Sequence, residues 1–338
     1  LGRTLGALPL VECDDGEFRP AHQVYTRAEV RAMLGEGAYI SISADSPMAK
    51  SVLDWLGTQS IPRPTDLVQR LRNLTKAPPT ISTRLTIEVI FKFLVEQWPN
   101  FDKDVLESFA SLRDIAWLPG RHNPARWYRP KEVYTVFRDY LFETQAEFLA
   151  VERELQNQAS SVKFAEFLGL RSEPDTHQVV DHLLQCSQQG GSLSSQVYRY
   201  LDENRGDPAV DVLINQPCLL LSDGHYALPT RAYWSEHPFG AYRLQLGSEW
   251  RDYNRLLGKL GVRDKPEKAD YIQVLLEIAQ EFEEKKLLAL DETTMAVIHR
   301  CWQGINNALQ ENDIDFTEEV KKLRSQRVVP NRKRVLIR

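Results

Sequence analysis

The sequence has few cysteines, and none of them lie close together. Its four cysteines, Cys13, Cys186, Cys218 and Cys301, are spread over 338 residues. Structural zinc sites and small disulfide-rich domains both need closely spaced cysteines, such as Cys-x-x-Cys pairs. The sequence therefore predicts neither kind of site, and we expect reduced thiols in a cytoplasmic protein.

The sequence also lacks long apolar runs and the short motifs of common enzymes. No stretch approaches the ~18 to 20 consecutive apolar residues of a membrane span, and no initial segment is typical of a secretory signal. Gly-x-x-x-x-Gly-Lys-Ser/Thr, His-Glu-x-x-His and Gly-x-Ser-x-Gly are absent, and these motifs carry phosphate binding, zinc hydrolysis and acyl transfer. We therefore expect a soluble chain without membrane contacts, catalytic residues, metal ligands or a cofactor, and not an enzyme.

A Leu-Gly pair followed by a proline occurs three times at the same spacing. The copies are Leu56-Gly57 with Pro62, Leu168-Gly169 with Pro174, and Leu260-Gly261 with Pro266. Glycine readily adopts the left-handed conformation past a helix end, and proline fits the first turn of a helix. This motif, which we call the Leu-Gly phrase, predicts a helix that ends at Leu-Gly and a second helix that begins at the proline. Its recurrence predicts an internal repeat.

A β-hairpin is predicted before each copy of this phrase. Asp14-Asp15-Gly16 separates two short apolar runs, and Asp223-Gly224 does the same before the third copy. Asp-Gly between such runs is a strong hairpin signal, because these residues tolerate the positive φ of a tight turn. Residues 115–134 predict the second hairpin across a longer turn, and residues 328–336 predict a fourth.

The combined pattern predicts an α+β fold built as a tandem repeat of about three small modules. Each module is a β-hairpin followed by several helices, and a truncated fourth hairpin follows the third module. The predicted boundaries place module 1 at residues 1–107, module 2 at 108–211, module 3 at 212–320 and the start of the fourth at 321–338. Units of this length are ordinary domains. Because the sequence begins with Leu1 rather than Met, we expect a fragment of a longer protein.

Basic residues are concentrated at one end of an otherwise acidic chain. The net charge is −5, yet residues 321–338 hold eight Lys or Arg and no acid, which leaves 34 basic and 47 acidic residues elsewhere. The candidate contacts to nucleic acid or to another partner are Lys321, Lys322, Arg324, Arg327, Arg332, Lys333 and Arg334. An exposed hairpin turn explains the same cluster, and we favour that interpretation.

Two further groups of residues have both a functional and a structural interpretation. His177 and Asp181 lie four residues apart next to His182, as an acid–base pair or the start of a metal site would, but exposed polar residues on a helix give the same pattern. Trp127-Tyr128 and Tyr233-Trp234 are able to stack on bases or peptides, but aromatic residues at strand ends are more often packed. We favour the structural interpretation of both groups.

The order of these elements resembles the repeated regions of sacsin and sacsin-like bacterial proteins. The shared elements are a hairpin, a segment that leaves the hairpin between a proline and a tyrosine (the Pro-to-Tyr exit), and a helix ending in Leu-Gly-Val/Leu-Arg-x-x-Pro. Residues 168–174 and 260–266 carry the resemblance best. Such proteins join these regions to an ATPase-like domain of the GHKL class, related to that of the large heat-shock chaperones. This chain has no Asp-x-Gly-x-Gly run, so no ATPase residue is carried over. The first copy also has Gln59 where the others have Arg171 and Arg263.

The sequence therefore predicts a non-catalytic scaffold or client-binding repeat region of a larger, chaperone-like, ATPase-associated bacterial protein. Its expected partners are a client protein and the ATPase domain of the parent chain. The alternative is a nucleic-acid-binding module of a genome-maintenance or defence protein, which would use the basic residues at 321–334. A third hypothesis is a hydrolase or transferase whose site is assembled across units from scattered acids and histidines.

Overall fold

The computed structural model of the chain describes residues 2–41, 46–310, 316, 320, 321, 323 and 326–337. Backbone contacts divide the chain into two units, Leu1–Pro174 and Asp175–Arg338. Both units mix α-helices with short strand pairs, which confirms the predicted α+β class. The module boundaries at 107/108, 211/212 and 320/321 remain predictions.

The described part of the first unit comprises eight α-helices and two β-hairpins. The helices are α1 (Gly2–Gly6), α2 (Ala28–Leu34), α3 (Pro47–Leu56), α4 (Pro64–Leu74), α5 (Ile81–Gln97), α6 (Lys103–Phe109), α7 (Arg153–Gln156) and α8 (Ala159–Leu168). The first hairpin pairs β1 (Pro9–Glu12) with β2 (Phe18–Pro20), and the second pairs β3 (Leu118–Pro119) with β4 (Trp127–Tyr128). Ser46, Thr80 and Asp102 cap α3, α5 and α6, because each side chain accepts a hydrogen bond from a backbone N–H in the first turn.

One apolar cluster joins α4, α5 and α8 to the second hairpin. Its buried members include Leu67, Leu71, Ile87, Phe91, Leu94, Trp117, Phe164 and Leu168. The rings of Phe91 and Trp117 lie 6.3 Å apart, centroid to centroid. A smaller cluster under the first hairpin contains Val11, Cys13, Ala21, Val24 and Ile40. Burying each large apolar side chain stabilises the fold by about 1.5–3 kcal/mol, so the larger cluster dominates the stability of this unit.

The described part of the second unit comprises five α-helices, two hairpins and a parallel strand pair. The helices are α9 (Thr176–Gln189), α10 (Gln196–Glu203), α11 (Asn254–Lys259), α12 (Lys268–Glu284) and α13 (Glu292–Leu309). The third hairpin pairs β5 (Leu219–Leu220) with β6 (Tyr226–Ala227), and β7 (Ala232–Tyr233) runs parallel to β8 (Leu244–Gln245). The fourth hairpin pairs β9 (Val329–Pro330) with β10 (Leu336–Ile337), so a hairpin forms at each of the four predicted places.

One apolar cluster of the second unit lies largely between α12 and α13. Its buried members include Val274, Leu275, Ile278, Ile298, Cys301, Ile305, Val328 and Leu336. The last two belong to the fourth hairpin and its approach, so this hairpin is anchored on the same helix pair. None of the described helices combines the length and apolar composition that a membrane crossing requires.

Each glycine of the Leu-Gly phrase is left-handed. Helix α3 ends at Leu56 and α8 at Leu168, and the next residues, Gly57 and Gly169, have φ of 93° and 82°. Gly261 follows α11 with φ of 101°. Residues with a Cβ disfavour this conformation, which explains why glycine occupies all three positions.

The prolines of the phrase lie before the next helices rather than in their first turns. Pro174 precedes Asp175, the N-cap of α9, and Pro266 precedes Glu267, the N-cap of α12. The prediction that these prolines begin the helices is therefore wrong. Asp175 takes the capping position because its carboxylate accepts a hydrogen bond from the N–H of Gln178 at 2.9 Å.

Three tyrosines each lie between two segments of backbone and pair with both. Tyr25 pairs with Tyr39 and Gln59, Tyr134 with Phe148 and Arg171, and Tyr233 with Gln245 and Arg263. All six pairings are parallel, and the second partner always lies two residues after a glycine of the Leu-Gly phrase. We call each tyrosine with its two partners a tyrosine junction. Each junction fixes the end of a hairpin exit against the end of a helix.

Candidate functional site

A cleft of about 740 Å³ lies beside Tyr134 in the first unit. The segment 135–140, which leaves the tyrosine junction, forms one wall. Helices α7 and α8 form another wall, and residues 170–173, which follow the Leu-Gly pair, close the end. The junction therefore determines the position of this cleft, because both its hairpin exit and its helix end contribute to the lining.

Gln156 holds the floor of the cleft in one conformation. Its side chain is buried, and its Oε1 accepts a hydrogen bond from the N–H of Val136 at 3.0 Å. Its Nε2 donates to the carbonyl oxygens of Leu149 and Val151 at 3.2 and 2.7 Å. A buried amide with all three bonds made is costly to disrupt, so the backbone at 136 and at 149–151 is fixed together.

Asp139 anchors the middle of the same wall. Its carboxylate is buried and lies 2.9 Å from a guanidinium nitrogen of Arg121 and 2.6 Å from one of Arg153. Burial by itself opposes ionisation, but the hydrogen bonds from Arg121 and Arg153 outweigh it and hold the pKa of Asp139 below its usual value. The carboxylate is therefore ionised at neutral pH and ties the segment 135–140 to α7.

Three largely apolar side chains of the cleft are exposed, two on the segment 135–140 and one on α8. Phe137, Tyr140 and Val162 line the cleft and are each exposed, Phe137 by 52% of its surface. Arg138 between the two aromatic residues has φ of 58°, its guanidinium lies 5.3 Å from the Phe137 ring centroid, and it donates to Glu173 at 3.2 Å. A left-handed conformation at a residue other than glycine persists only where the surroundings enforce it, which is a pointer to function.

The lining of the cleft combines apolar side chains with charges of both signs. It contains neither histidine nor cysteine, and Asp139 is held as an anion by two arginines. Exposed apolar groups line the cleft together with the exposed charged side chains of Arg138, Glu166 and Glu173. Such a surface is able to bury an apolar side chain of a partner and to pair with charges that flank it.

A second cleft, of about 340 Å³, lies beside Tyr233 in the second unit. Its lining residues correspond in sequence to those of the first cleft. Trp234 directly follows Tyr233, as Thr135 follows Tyr134. Asn254 on α11 lies seven residues before Gly261, and Val162 on α8 lies seven residues before Gly169. The guanidinium of Arg251 lies 4.8 Å from the Trp234 ring centroid, so the aromatic residue here is covered by this unit's own side chain. Two of the three tyrosine junctions therefore border a cleft in the corresponding place.

The basic cluster of the second unit is separate from its cleft. Lys321, Arg327, Arg332, Lys333 and Arg334 are exposed, whereas Lys322 and Arg324 lie outside the described residues. Arg334 pairs with Glu292 at 3.1 Å. Arg332 and Lys333 lie in the turn of the fourth hairpin, and neither they nor Arg327 form an ion pair with any part of the chain that is described.

The structural interpretation holds for most of the other residues that the sequence singled out. Trp127-Tyr128 and Tyr233-Trp234 are buried, and His177 and Asp181 are exposed on α9. His182 is the exception, because it is buried with its Nδ1 3.8 Å from the sulfur of Cys186. The expectation of an exposed polar residue is wrong there, since 182 lies one residue from Leu183 on a buried face that is wider than the predicted stripe.

The residues of the Tyr134 cleft had no signal in the sequence. Phe137, Asp139 and Tyr140 lie in a stretch without helical or strand periodicity, and Gln156 lies in a four-residue helix. The only available pointer was their position directly after the Pro-to-Tyr exit. Their proximity to α8 depends on a pairing between backbone segments 37 residues apart, at Tyr134 and Arg171.

The described residues contain no group of three or more His, Cys, Asp or Glu placed to hold a metal ion. Comparison of the chain with protein-family models, with curated proteins and with solved structures gave no significant match. Function is therefore inferred from the geometry of the chain itself.

Proposed function

We propose that this chain is a partner-binding repeat region of a larger sacsin-like, ATPase-associated protein, with no catalytic activity of its own. The observation that carries the proposal is the cleft beside Tyr134. Phe137 and Tyr140 are exposed there on a segment fixed by buried hydrogen bonds and ion pairs, and Val162 is exposed on α8. Protein interfaces combine an apolar centre rich in aromatic residues and arginine with a polar rim. A pre-organised wall lowers the entropy lost when a partner binds.

The recurrence of the tyrosine junction supports the tandem-repeat part of this proposal. Tyr25, Tyr134 and Tyr233 each pair in parallel with two segments, and each time one partner follows a left-handed glycine. Unrelated parts of one chain have no reason to repeat such a pairing. Modular arrays bind partners along surfaces that neighbouring repeats build, so a scaffold that holds a client and an ATPase domain is consistent with this organisation.

Peptide display against the intact chain tests the partner-binding role. We expect enriched peptides to carry an apolar anchor flanked by charges, and to lose at least about tenfold in affinity against Phe137→Ser or Val162→Asp, because both remove the apolar centre. Ile81→Ser is the matched control, since Ile81 is 80% exposed in the same unit but distant in sequence from the cleft. Peptides that bind all the variants equally well would place the binding surface elsewhere.

The non-catalytic part of the proposal has a separate test. Incubated with ATP and Mg²⁺, the chain is expected neither to hydrolyse the nucleotide nor to bind it in equilibrium dialysis, because it lacks a glycine-rich phosphate loop. Saturable nucleotide binding would overturn this part and leave the cleft to be explained as an enzyme site.

One observation favours nucleic-acid binding as the second candidate. Arg327, Arg332 and Lys333 are exposed cations without an ion pair to a described residue. If they contact phosphates, the affinity for duplex DNA falls steeply with salt, and the double variant Arg332→Gln/Lys333→Gln lowers the salt slope by about two. Binding that does not vary with salt excludes this function.

A further inference from the structure

One wall of the cleft beside Tyr233 is a continuous helical segment, residues 248–259. The 3₁₀-helix Ser248–Tyr253 is followed directly by α11. The residues of this segment that line the cleft are Arg251, Asn254, Arg255 and Gly258, and the rest of the lining is Trp234, Val262 and Asp264. One wall therefore presents two guanidinium groups to the cleft.

Bonds to α10 and to the residues that follow α10 hold this wall in place. The N–H of Leu256 donates to the carboxylate of Asp202 at 2.7 Å. The amino group of Lys259 donates to the carbonyl oxygen of Arg205 at 2.5 Å and lies 2.6 Å from the carboxylate of Asp211. A wall with these contacts is pre-organised, which lowers the entropy lost when a ligand binds.

Trp234 positions the first of the two arginines. The guanidinium of Arg251 lies 4.8 Å from the Trp234 ring centroid. The ring itself is buried, and the backbone N–H of Trp234 donates to the carbonyl oxygen of Arg263 at 3.0 Å. A guanidinium over an aromatic face is attracted to it through its charge and still has the N–H groups at its edge for hydrogen bonds. Arg251 is thus oriented without being neutralised.

Neither arginine of the cleft has an acidic partner. Arg251 and Arg255 are exposed, and neither forms an ion pair or donates a side-chain hydrogen bond to any residue that the structure describes. Other arginines of this unit are paired, namely Arg231 and Arg243 with Glu277 and Arg263 with Asp270. The cleft has one acidic side chain, Asp264, against two arginines, so positive charge is in excess there. Charge complementarity therefore calls for an anionic ligand.

The size and the surroundings of the cleft distinguish between anionic ligands. A volume of about 340 Å³ accommodates a few side chains rather than a long polymer. Glu249 and Asp252, next to Arg251 in sequence, are exposed and form no ion pair with a described residue. The closely spaced phosphates of a nucleic acid would be repelled by these carboxylates, whereas a single acidic side chain is able to reach the arginines alone.

We infer that the cleft beside Tyr233 binds an acidic segment of a partner protein, with Asp or Glu side chains that pair with Arg251 and Arg255. The inference rests on the proposed partner-binding role and adds a second surface to it. The ligand chemistry differs from that of the cleft beside Tyr134, where exposed apolar side chains line the surface. Carboxylates suit this cleft because the planar guanidinium group donates two parallel hydrogen bonds to them.

Peptide display against the intact chain carrying Phe137→Ser tests this inference, because that substitution disables the first cleft. Enriched peptides are expected to contain Asp or Glu and to lose at least about tenfold in affinity when Arg251→Gln or Arg255→Gln is added. Arg300→Gln is the matched control, since Arg300 is an exposed arginine on α13 outside the lining. Circular dichroism and thermal melting establish that these variants are folded.

A change in the peptide tests the same pairing without altering the protein. Replacing Asp by Asn or Glu by Gln in an enriched peptide should also lower its affinity at least about tenfold, because the amide is neutral. Raising the salt concentration should weaken the acidic peptide and leave the amide peptide almost unchanged.

Each contrary result has a distinct meaning. Peptides without acidic residues, or acidic peptides equally weakened by Arg300→Gln, overturn this inference and leave the proposed function intact. The same holds if only the chain with Phe137 selects peptides. Duplex DNA that displaces the peptides and itself requires Arg251 assigns the cleft to nucleic acid and overturns the inference as well. Failure to select any peptide on either chain counts against the inference and the proposed function together.

Discussion

Asp139 shows how a single residue links packing to the candidate site. Its carboxylate is buried, and its partners Arg121 and Arg153 lie 18 and 14 residues away in sequence. Burial opposes ionisation of this carboxylate, but the ion pairs with the two arginines outweigh the desolvation and keep it ionised. The residue acts by positioning the cleft wall, and its loss is expected to alter both stability and ligand binding.

Replacement of Asp139 by asparagine is expected to destabilise the chain by about 2 kcal/mol. Removing one member of a fully buried ion pair costs about 3–5 kcal/mol, and the cost is smaller here because Arg153 is more than half exposed. Urea denaturation measures the change. Asp114→Asn, at an exposed position of the same unit, is the control and should cost under about 0.5 kcal/mol. Equal losses in the two variants would contradict the anchoring role.

The stabilisation by Asp139 is also expected to depend on pH. Its pKa in the folded chain lies below the usual value of about 3.9, so its contribution is complete above about pH 5 and is lost as the pH falls through the folded pKa. The difference in unfolding free energy between the wild type and Asp139→Asn should therefore be constant from neutral pH to about pH 5 and shrink below about pH 4. If this difference in unfolding free energy instead grows on acidification, the pKa of Asp139 is raised rather than lowered by folding.

At the scale of elements, the ends of the helices are the features that local sequence controls best. Helices α3 and α8 both end at the leucine of a Leu-Gly pair, and the glycine that follows is left-handed. The start of the next helix is less well predicted, because capping by Asp175 displaces Pro174 from the first turn. Backbone conformation thus determines the stop, and a side-chain hydrogen bond determines the start.

Substitution of Gly169 tests the conformational requirement at a helix end. Gly169→Ala is expected to destabilise the first unit by about 1–2 kcal/mol, because alanine in the left-handed region places Cβ against the following carbonyl oxygen. No atom lies within 4 Å of the added Cβ, so crowding does not contribute. Gly169→Asn is the matched comparison in urea denaturation and should lose less, because asparagine tolerates this conformation. A larger loss in the asparagine variant would argue against backbone strain.

At the scale of the whole molecule, each unit has an apolar core of its own, and no disulfide bond joins any of the cysteines. None of the four cysteines is in a disulfide bond and all four are buried, with Cys13 in the first unit and Cys186, Cys218 and Cys301 in the second. Burial raises the pKa of the thiols of Cys218 and Cys301 to about 12. Both units are therefore stabilised by apolar packing rather than by covalent or metal links among the described residues.

The reactivity of the thiols reports on both cores at once. We expect none of the four cysteines to react with Ellman's reagent in the native chain within minutes, and all four to react in denaturant, because a buried thiol is not accessible to the reagent. Ser222→Cys, at an exposed turn of the third hairpin, should add one fast-reacting thiol. A native thiol that reacts as fast as this control would reveal a unit that opens readily.

Much of the secondary structure, but little of the site, was predictable from the sequence. The Asp-Gly turns and the apolar runs around them predicted hairpins that the structure contains, and the Leu-Gly pairs predicted the ends of α3 and α8. In the sequence, Tyr25, Tyr134 and Tyr233 mark only the ends of the hairpin exits. Their pairing with residues such as Arg171 was not predictable, because parallel backbone pairing between distant segments leaves no periodic pattern.

The class of fold, the hairpin turns and the helix ends follow from local sequence, because each depends on residues within a few positions of one another. The location of the candidate cleft depends on contacts between distant segments. The cleft beside Tyr134 needs α8 and the segment 135–140 to meet, and the ionised Asp139 needs two arginines from separate segments. Burial is a property of contacts between distant residues, and no local pattern records it.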